Sequence, residues 1–277
     1  MNSSDVRELP IGVFDSGVGG LTVAREIMRQ MPNERIVYFG DTARVPYGSK
    51  SKETVTRYSE QIVRFLLSQN VKAIAVACNT ASAYALPTLE KDCPVPIIGV
   101  MKPGARTAAE CTENGKIGVI GTTATISSGI YTEYIRELMP RAQVLGRACP
   151  LFVPLVEEGL WEDPVTDEIA RRYLVELMDE GIDTLILGCT HYPLIRKTIG
   201  RIVGESVRLV NPAFETAMEL KSLLKEHDLL AQRHPSLGSE SQYSFYVSDM
   251  ADKFKAFANS IIKYGILSAK TIPIEKY

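Results

Sequence analysis

The sequence predicts an α/β fold made of two pseudo-symmetric lobes. Each lobe is expected to be a mostly parallel sheet flanked by helices, with a cleft between the two. Three observations carry this. Short apolar runs rich in Val and Ile recur along the chain and barely alternate in polarity, as strands buried on both faces of a parallel sheet do. Amphipathic stretches at helical spacing separate them, which is the pattern of βαβ units. Two segments of the first half also return in related form in the second.

The elements follow in order. IGVF (11–14) leads into a stripe of Leu21, Ala24, Ile27, Met28 and Met31, which Pro32 and Asn33 end. IVYF (36–39) precedes a second stripe within 51–69, formed by Val55, Tyr58, Ile62, Phe65 and Leu66. AIAVA (73–77) and PIIGV (96–100) complete the strands of the first half. KIGVI (116–120), AQVLGRA (142–148), TLILG (184–188) and VRLV (207–210) supply a second set, with helical patterns over 125–139, 165–180 and 193–203. Helices over 213–226 and 249–262 and the run YSFYV (243–247) are expected to return to the first lobe. Pro103-Gly104 and Asn211-Pro212 read as breaks. The expected lobes are therefore 1–101 with 212–277, and 102–211. RHPSLGSESQ (233–242) reads as a surface loop.

The repeat is specific in content. IGVFDSGVGG (11–20) is echoed by IGVIGTTATI (117–126). AIAVACNTASAYALP (73–87) is echoed by TLILGCTHYPLI (184–195). The separation from Asp15 to Cys78 nearly equals that from Thr122 to Cys189.

Composition narrows the function. The chain has 277 residues, 45% of them apolar and 23% charged, enough to bury a core without disulfides or metals. Its 31 basic side chains against 33 acidic ones give no basic excess, which disfavours nucleic acid as a partner. The opening MNSSDVRELP has no basic and apolar leader. No apolar run approaches the ~20 residues of a membrane span. A soluble cytoplasmic protein is expected. Its cysteines, Cys78, Cys93, Cys111, Cys149 and Cys189, are odd in number and show no CxxC spacing, so neither a disulfide framework nor a zinc ribbon is expected. Cys93, Cys111 and Cys149 read as structural, and Trp161 as packing. His227 and His234 read as surface residues.

GVFDSGVGGLTV (12–23) has the outline of a phosphate loop but not its chemistry. The glycines do not fit GxGxxG, no Lys follows them, and Asp15 at the mouth would repel phosphate. Free N–H groups at the following helix start suit a small anion such as a carboxylate. Asp15 itself suits an ammonium group or the tuning of a proton transfer, or simply caps the turn.

Strand AIAVA delivers Cys78 to its carboxyl end, ahead of Asn79, Thr80 and a helix start. Ligands of open α/β sheets bind beyond the carboxyl ends of strands, and a helix N-terminus favours a thiolate. A lone cysteine there is as readily a small buried hydrophobe. The second copy changes this, because TLILG delivers Cys189, followed by Thr190 and His191, to the equivalent place. A disulfide would fill the cleft. Zinc on Cys78, Cys189 and His191 lacks the usual local ligand pairs. A Cys–His hydrolase would use His191 and leave Cys78 unexplained. Racemisation uses both thiols, one removing a proton from one face of a carbon while the other returns one to the opposite face. A thiol pKa of about 8.5 puts either state within reach.

The chain resembles the cofactor-independent aspartate/glutamate racemases, and glutamate racemases in particular. DSGVGGLTV (15–23), GDTARVPYGSKS (40–51), ACNTASA (77–83), IGVIGTTATI (117–126), PLVEEG (154–159) and LGCTHYPLI (187–195) carry the resemblance in order. It implies that Cys78 acts on the D-isomer face and Cys189 on the L-isomer face. Asp15 and Ser16 would line the cleft, with Asp15 near Cys78. Tyr47 and Gly48 would hold the side-chain carboxylate through backbone and hydroxyl donors. Asn79, Thr80, Thr190 and Thr125 would grip the α-amino and α-carboxylate groups. His191 would assist Cys189, and Glu157 would join the proton network. The resemblance further implies a homodimer, no cofactor, no metal, and a supply of D-glutamate for peptidoglycan. VNPAFETA (210–217) departs from the family pattern at Asn211-Pro212, where a hinge effect is expected. A racemase of aspartate or a hydantoin, and a small-acid-binding protein with inert cysteines, are the competing readings.

Overall fold

The computed structural model describes residues 6–232, 242–262 and 268–277. His234 and, except for Gln242, the loop expected over 233–242 lie outside them. Among the described residues ten strands form two sheets: β1 (Ile11–Asp15), β2 (Ile36–Gly40), β3 (Ala73–Val76), β4 (Ile97–Gly99), β5 (Lys116–Gly121), β6 (Gln143–Ala148), β7 (Thr184–Gly188), β8 (Arg208–Val210), β9 (Tyr243–Val247) and β10 (Lys270–Thr271). One sheet has the order β10-β9-β2-β1-β3-β4 and the other β6-β5-β7-β8. Every ladder is parallel.

The internal repeat is realised as topology. The order β2-β1-β3-β4 in one sheet matches β6-β5-β7-β8 in the other. The two IGV strands, β1 and β5, take the same place, and each has the strand that leads to a cysteine, β3 or β7, beside it. The expected return of YSFYV to the first sheet is also seen, with Ile36 opposite Tyr243 in the β2–β9 ladder.

Three features differ from the sequence reading. Pro103-Gly104 lies inside a helix, Met101–Cys111, not at a break. Pro103 falls in the first turn, where a missing N–H is tolerated, and Gly104 is there for packing: a Cβ on it would come 3.0 Å from the Pro212 ring. The stretch 125–139 is two helices, Thr123–Ser127 and Ile130–Leu138, because Gly129 turns left-handed at φ 70° between them. The third is β10, two exposed residues with no apolar signal.

Asn211 caps the helix Pro212–Glu226 by accepting the Ala213 N–H, with Pro212 at the first position. That helix packs on both Leu21–Gln30 and Met101–Cys111. Its Ala217, Leu220 and Leu224 join one apolar cluster that reaches from Ile11 and Val13 of one sheet to Ile117 and Ile186 of the other. A second cluster, with Phe14, Phe39, Ile62, Phe65 and Val76, fills the far face of the larger sheet. A third, with Phe152, Leu174, Leu185, Leu187 and Tyr192, does the same for the smaller. A buried ion pair ties in the start of β2: Lys72 Nζ lies 2.5 Å from Glu34, the two side chains being 0% and 2% exposed. Among the described residues no helix is long and apolar enough to cross a membrane.

Candidate active site

The two cysteines of the repeat open onto one cavity of about 410 Å³. Cys78 is itself the cap of the helix Asn79–Tyr84, with Sγ accepting the Ala81 N–H at 3.4 Å. The Cys78 thiol donates to the Ser16 hydroxyl oxygen at 3.7 Å. Cys189 follows β7, and its Sγ lies 3.9 Å from His191 Nδ1. The other ring nitrogen of His191 is 3.1 Å from Glu157 Oε1. Each thiol therefore has a polar partner supplied by its own half of the repeat.

Asp15 does not line this cavity. It is fully buried beneath the wall. Its Oδ2 accepts the Gly17 N–H at 3.0 Å, and the N–H groups of Gly20 and Ser16 also face the carboxyl. The glycine turn thus wraps an anion of the protein itself, which is why its free N–H groups are not on offer to a ligand. Asp15 reaches the cavity indirectly, through the Thr190 hydroxyl at 3.5 Å. The glycines serve close approach. A Cβ on Gly20 would come 2.4 Å from Asp15 Cβ, and one on Gly19 would come 2.4 Å from both His191 Nδ1 and Thr190 Oγ1.

Ser16, Asn79, Thr80, Thr190, His191 and Glu157 all line the cavity, as do Tyr47 and Gly48. The Asn79 amide is fixed from the other sheet's side by the Tyr131 hydroxyl, which donates to Oδ1 at 2.7 Å. Thr125 is not on the wall. It is 1% exposed and sits behind Thr80 and Thr122, its hydroxyl 3.3 and 3.0 Å from theirs. Thr122 and Thr123 take the place expected for it. Thr122 is the strand-end residue of the repeat and caps the helix that follows; that capping position was the signal available in the sequence. Pro150 and Val153, which no motif announced, and Pro154, the first residue of PLVEEG, complete an apolar part of the wall. Cys149, which precedes Pro150 of the wall, is itself buried.

Tyr47 opens a short 3-10 turn, Tyr47–Ser49. Its hydroxyl does not face the cavity contents, because it donates to the buried Asp41 carboxylate. All three residues of the turn line the cavity. Gly48 sits against Thr122, and a Cβ would come 2.7 Å from that residue's Cβ.

Electrostatics set the protonation of Cys78 and His191. Burial, and then the charge of Asp15, push the Cys78 thiol up to about 12, against the pull of the Ala81 N–H and Ser16, so Cys78 is a thiol at neutral pH. Burial alone would lower His191, but its bonds to Cys189 and Glu157 and the charges of Cys189 and Asp15 outweigh that and raise it to about 10. His191 is then an imidazolium at neutral pH, beside Cys189 Sγ. Its bond holds Glu157 below the usual carboxylate range despite partial burial. Burial raises Asp15, opposed by the His191 charge and the backbone N–H groups around it. Among the described residues no three His, Cys, Asp or Glu side chains group as metal ligands do.

Two parallel sheets, each flanked by helices and each placing a cysteine on one shared cavity, define the class as an α/β enzyme. The chain belongs to the Asp/Glu/Hydantoin racemase family, whose profile matches residues 11–220. It is 48% identical over 268 residues to a glutamate racemase of Geobacter metallireducens, covering 96% of this chain and 98% of that one. Its fold is similar to glutamate racemase isoform RacE1 from Bacillus anthracis, with a TM-score of 0.90 at 41% identity over 96% of this chain and 98% of the other. It is also similar to glutamate racemase from Francisella tularensis solved in complex with D-glutamate, with a TM-score of 0.89 at 38% identity over 98% and 100%.

Proposed function

We propose that the protein is a glutamate racemase that interconverts L- and D-glutamate by a cofactor-independent, two-cysteine mechanism. The observation that carries this is the pair Cys78 and Cys189, each at the carboxyl end of an equivalent strand and both on the wall of one cavity. Glutamate as substrate is supported by the relatives, which are named glutamate racemases.

From L-glutamate, the Cys189 thiolate takes the α-proton while the His191 imidazolium stays beside the sulfur. The Cys78 thiol, already protonated, delivers its proton to the opposite face of the same carbon. Cys189 is left as thiol and Cys78 as thiolate, and exchange with solvent resets the pair. From D-glutamate the roles reverse. The carbanionic charge moves onto the α-carboxylate, so fixed donors there lower the barrier. Asn79, Thr80, Thr122 and Thr190 are the polar wall residues assigned to the α-amino and α-carboxylate groups. The backbone of Tyr47 and Gly48 is assigned to the side-chain carboxylate. Asp15 acts from beneath, through Thr190 and through its charge on Cys78.

The proposal takes residues 1–101 with 212–277 as one lobe and 102–211 as the other. It takes the enzyme as a cytoplasmic homodimer that feeds D-glutamate to peptidoglycan synthesis. The test is exchange in D2O with no added cofactor. L- and D-glutamate are incubated separately and followed by optical rotation and by the α-proton signal. Loss of rotation from both isomers with deuterium at Cα is the expected result. Exchange with aspartate and not glutamate would refute the substrate, and no exchange with either would refute the mechanism.

A further inference from the structure

We infer that Asp41, which lies outside the cavity wall, is the positioning residue that holds the turn Tyr47–Ser49 in its cavity-facing shape and so sets the length of acidic side chain the site accepts. The inference rests on the glutamate reading above and names a specificity determinant within it.

Asp41 directly follows β2 and is completely buried. A buried carboxylate is costly unless its lone pairs are filled, and here they are. Arg44 Nε donates to both oxygens, at 3.0 and 2.8 Å. The Ser248 hydroxyl donates at 2.8 Å, and the Tyr47 hydroxyl donates to Oδ2. The donors are themselves held. Arg44 lies 4.0 Å above the Tyr58 ring and donates to Gln61 at 2.6 Å, while Ser248 also accepts the Ala43 N–H at 2.8 Å. One carboxylate thereby joins the end of β2, the residue after β9 and the turn.

The consequence falls on Tyr47. Its ring is 1% exposed and packs 5.8 Å from Tyr58, with the hydroxyl drawn inward. With the Tyr47 side chain anchored inside, the turn Tyr47–Ser49 forms part of the cavity wall. From the other side Gly48 abuts Thr122 of the facing sheet. The turn is clamped between Asp41 and Thr122, so its distance from the two thiols is fixed. Asp41 is not itself on the cavity wall and reaches it through Tyr47.

The test is steady-state racemisation by wild type, Asp41→Asn, Tyr47→Phe and the double variant, with thermal melting of each. Charge-assisted hydrogen bonds to a buried carboxylate are among the stronger ones. Asp41→Asn is expected to raise KM for both glutamate isomers about tenfold, equal to about 1.4 kcal/mol, with kcat within about twofold. Tyr47→Phe is expected to raise KM by a similar factor, and the double variant to add little, because both act through one bond. The preference for glutamate over aspartate in kcat/KM should narrow in all three. Unmoved KM in folded single variants would overturn the inference, even if melting temperature falls. So would multiplied effects in the double variant, or a kcat loss that accounts for the whole change. Wild type inert on glutamate would instead overturn the glutamate reading itself; active wild type with unmoved variants overturns only the role of Asp41.

Discussion

Gly19→Ala isolates the contact by which one half of the repeat supports the other's thiol. The φ of Gly19 is not in the left-handed region, so alanine is allowed by the backbone and any effect comes from the added methyl. That Cβ would stand 2.4 Å from His191 Nδ1 and Thr190 Oγ1 and 2.5 Å from His191 Cε1. Restoring ordinary contact requires a shift of roughly 1 Å, since carbon contacts are comfortable near 3.5 Å. His191 has little room to yield, being buried and held between Cys189 and Glu157. Overpacking of this kind costs about 1–3 kcal/mol, which lowers Tm by about 3–9 °C. A displacement of about 1 Å at a catalytic group costs on the order of 100-fold in rate. The expected result is a folded protein whose kcat/KM for L-glutamate drops about 100-fold, while D-glutamate still exchanges its α-hydrogen with solvent through Cys78. Circular dichroism melts and NMR exchange in D2O measure both. Near wild-type racemisation by Gly19→Ala would refute the reasoning that His191 must keep its present position.

Other expectations follow from the same geometry. Cys78→Ala and Cys189→Ala should each abolish racemisation without unfolding. Cys78→Ala should retain α-proton exchange only with L-glutamate and Cys189→Ala only with D-glutamate, a crossed pattern that NMR in D2O reads directly. Glu157→Gln should lower the alkaline limb assigned to His191, about 10 in the wild type, by roughly one pH unit, worth about 1.4 kcal/mol; a pH–rate profile whose limb stays put would contradict this. Stability from the raised His191 is fully present below its ordinary value of 6.5 and is lost as pH rises through about 10. That from the lowered Glu157 is present above 4.5 and is lost as pH falls below it. Lys72→Met should cost about 3–5 kcal/mol by leaving Glu34 buried without its partner, seen as a lower denaturation midpoint with KM unchanged in the folded fraction.

Much of this was legible in the chain because the repeat constrains it twice. The apolar runs name nine strands, and matched Cys-Asn-Thr and Cys-Thr-His strand ends bring both thiols to the same kind of place. What the sequence hid has physical reasons. Pro103-Gly104 carries the composition of a break, yet proline suits a first helical turn and the glycine answers to Pro212, a partner distant in the chain. Thr122 and Thr125 are one helical turn apart and chemically equal. Only the facing sheet decides which is exposed to the cavity and which is covered. Tyr47 looked like a hydroxyl donor to a ligand because nothing local shows that Asp41 would claim it. Asp15 read as a cleft residue because a strand-end carboxylate does not reveal that its own glycine turn will fold over it.

The sheet order also bears on synthesis. All four strands of the smaller sheet come from one unbroken stretch, 116–210, whereas the larger sheet waits for β9 and β10. On a ribosome the smaller sheet has all its strands before the larger one acquires its outer edge, although β1 to β4 emerge first. Until then β2 exposes the edge that Tyr243–Val247 later covers, a row of unsatisfied backbone groups open to wrong partners. Nascent chains of this protein should therefore be most prone to aggregate after the second half of the repeat is complete and before the last strands arrive.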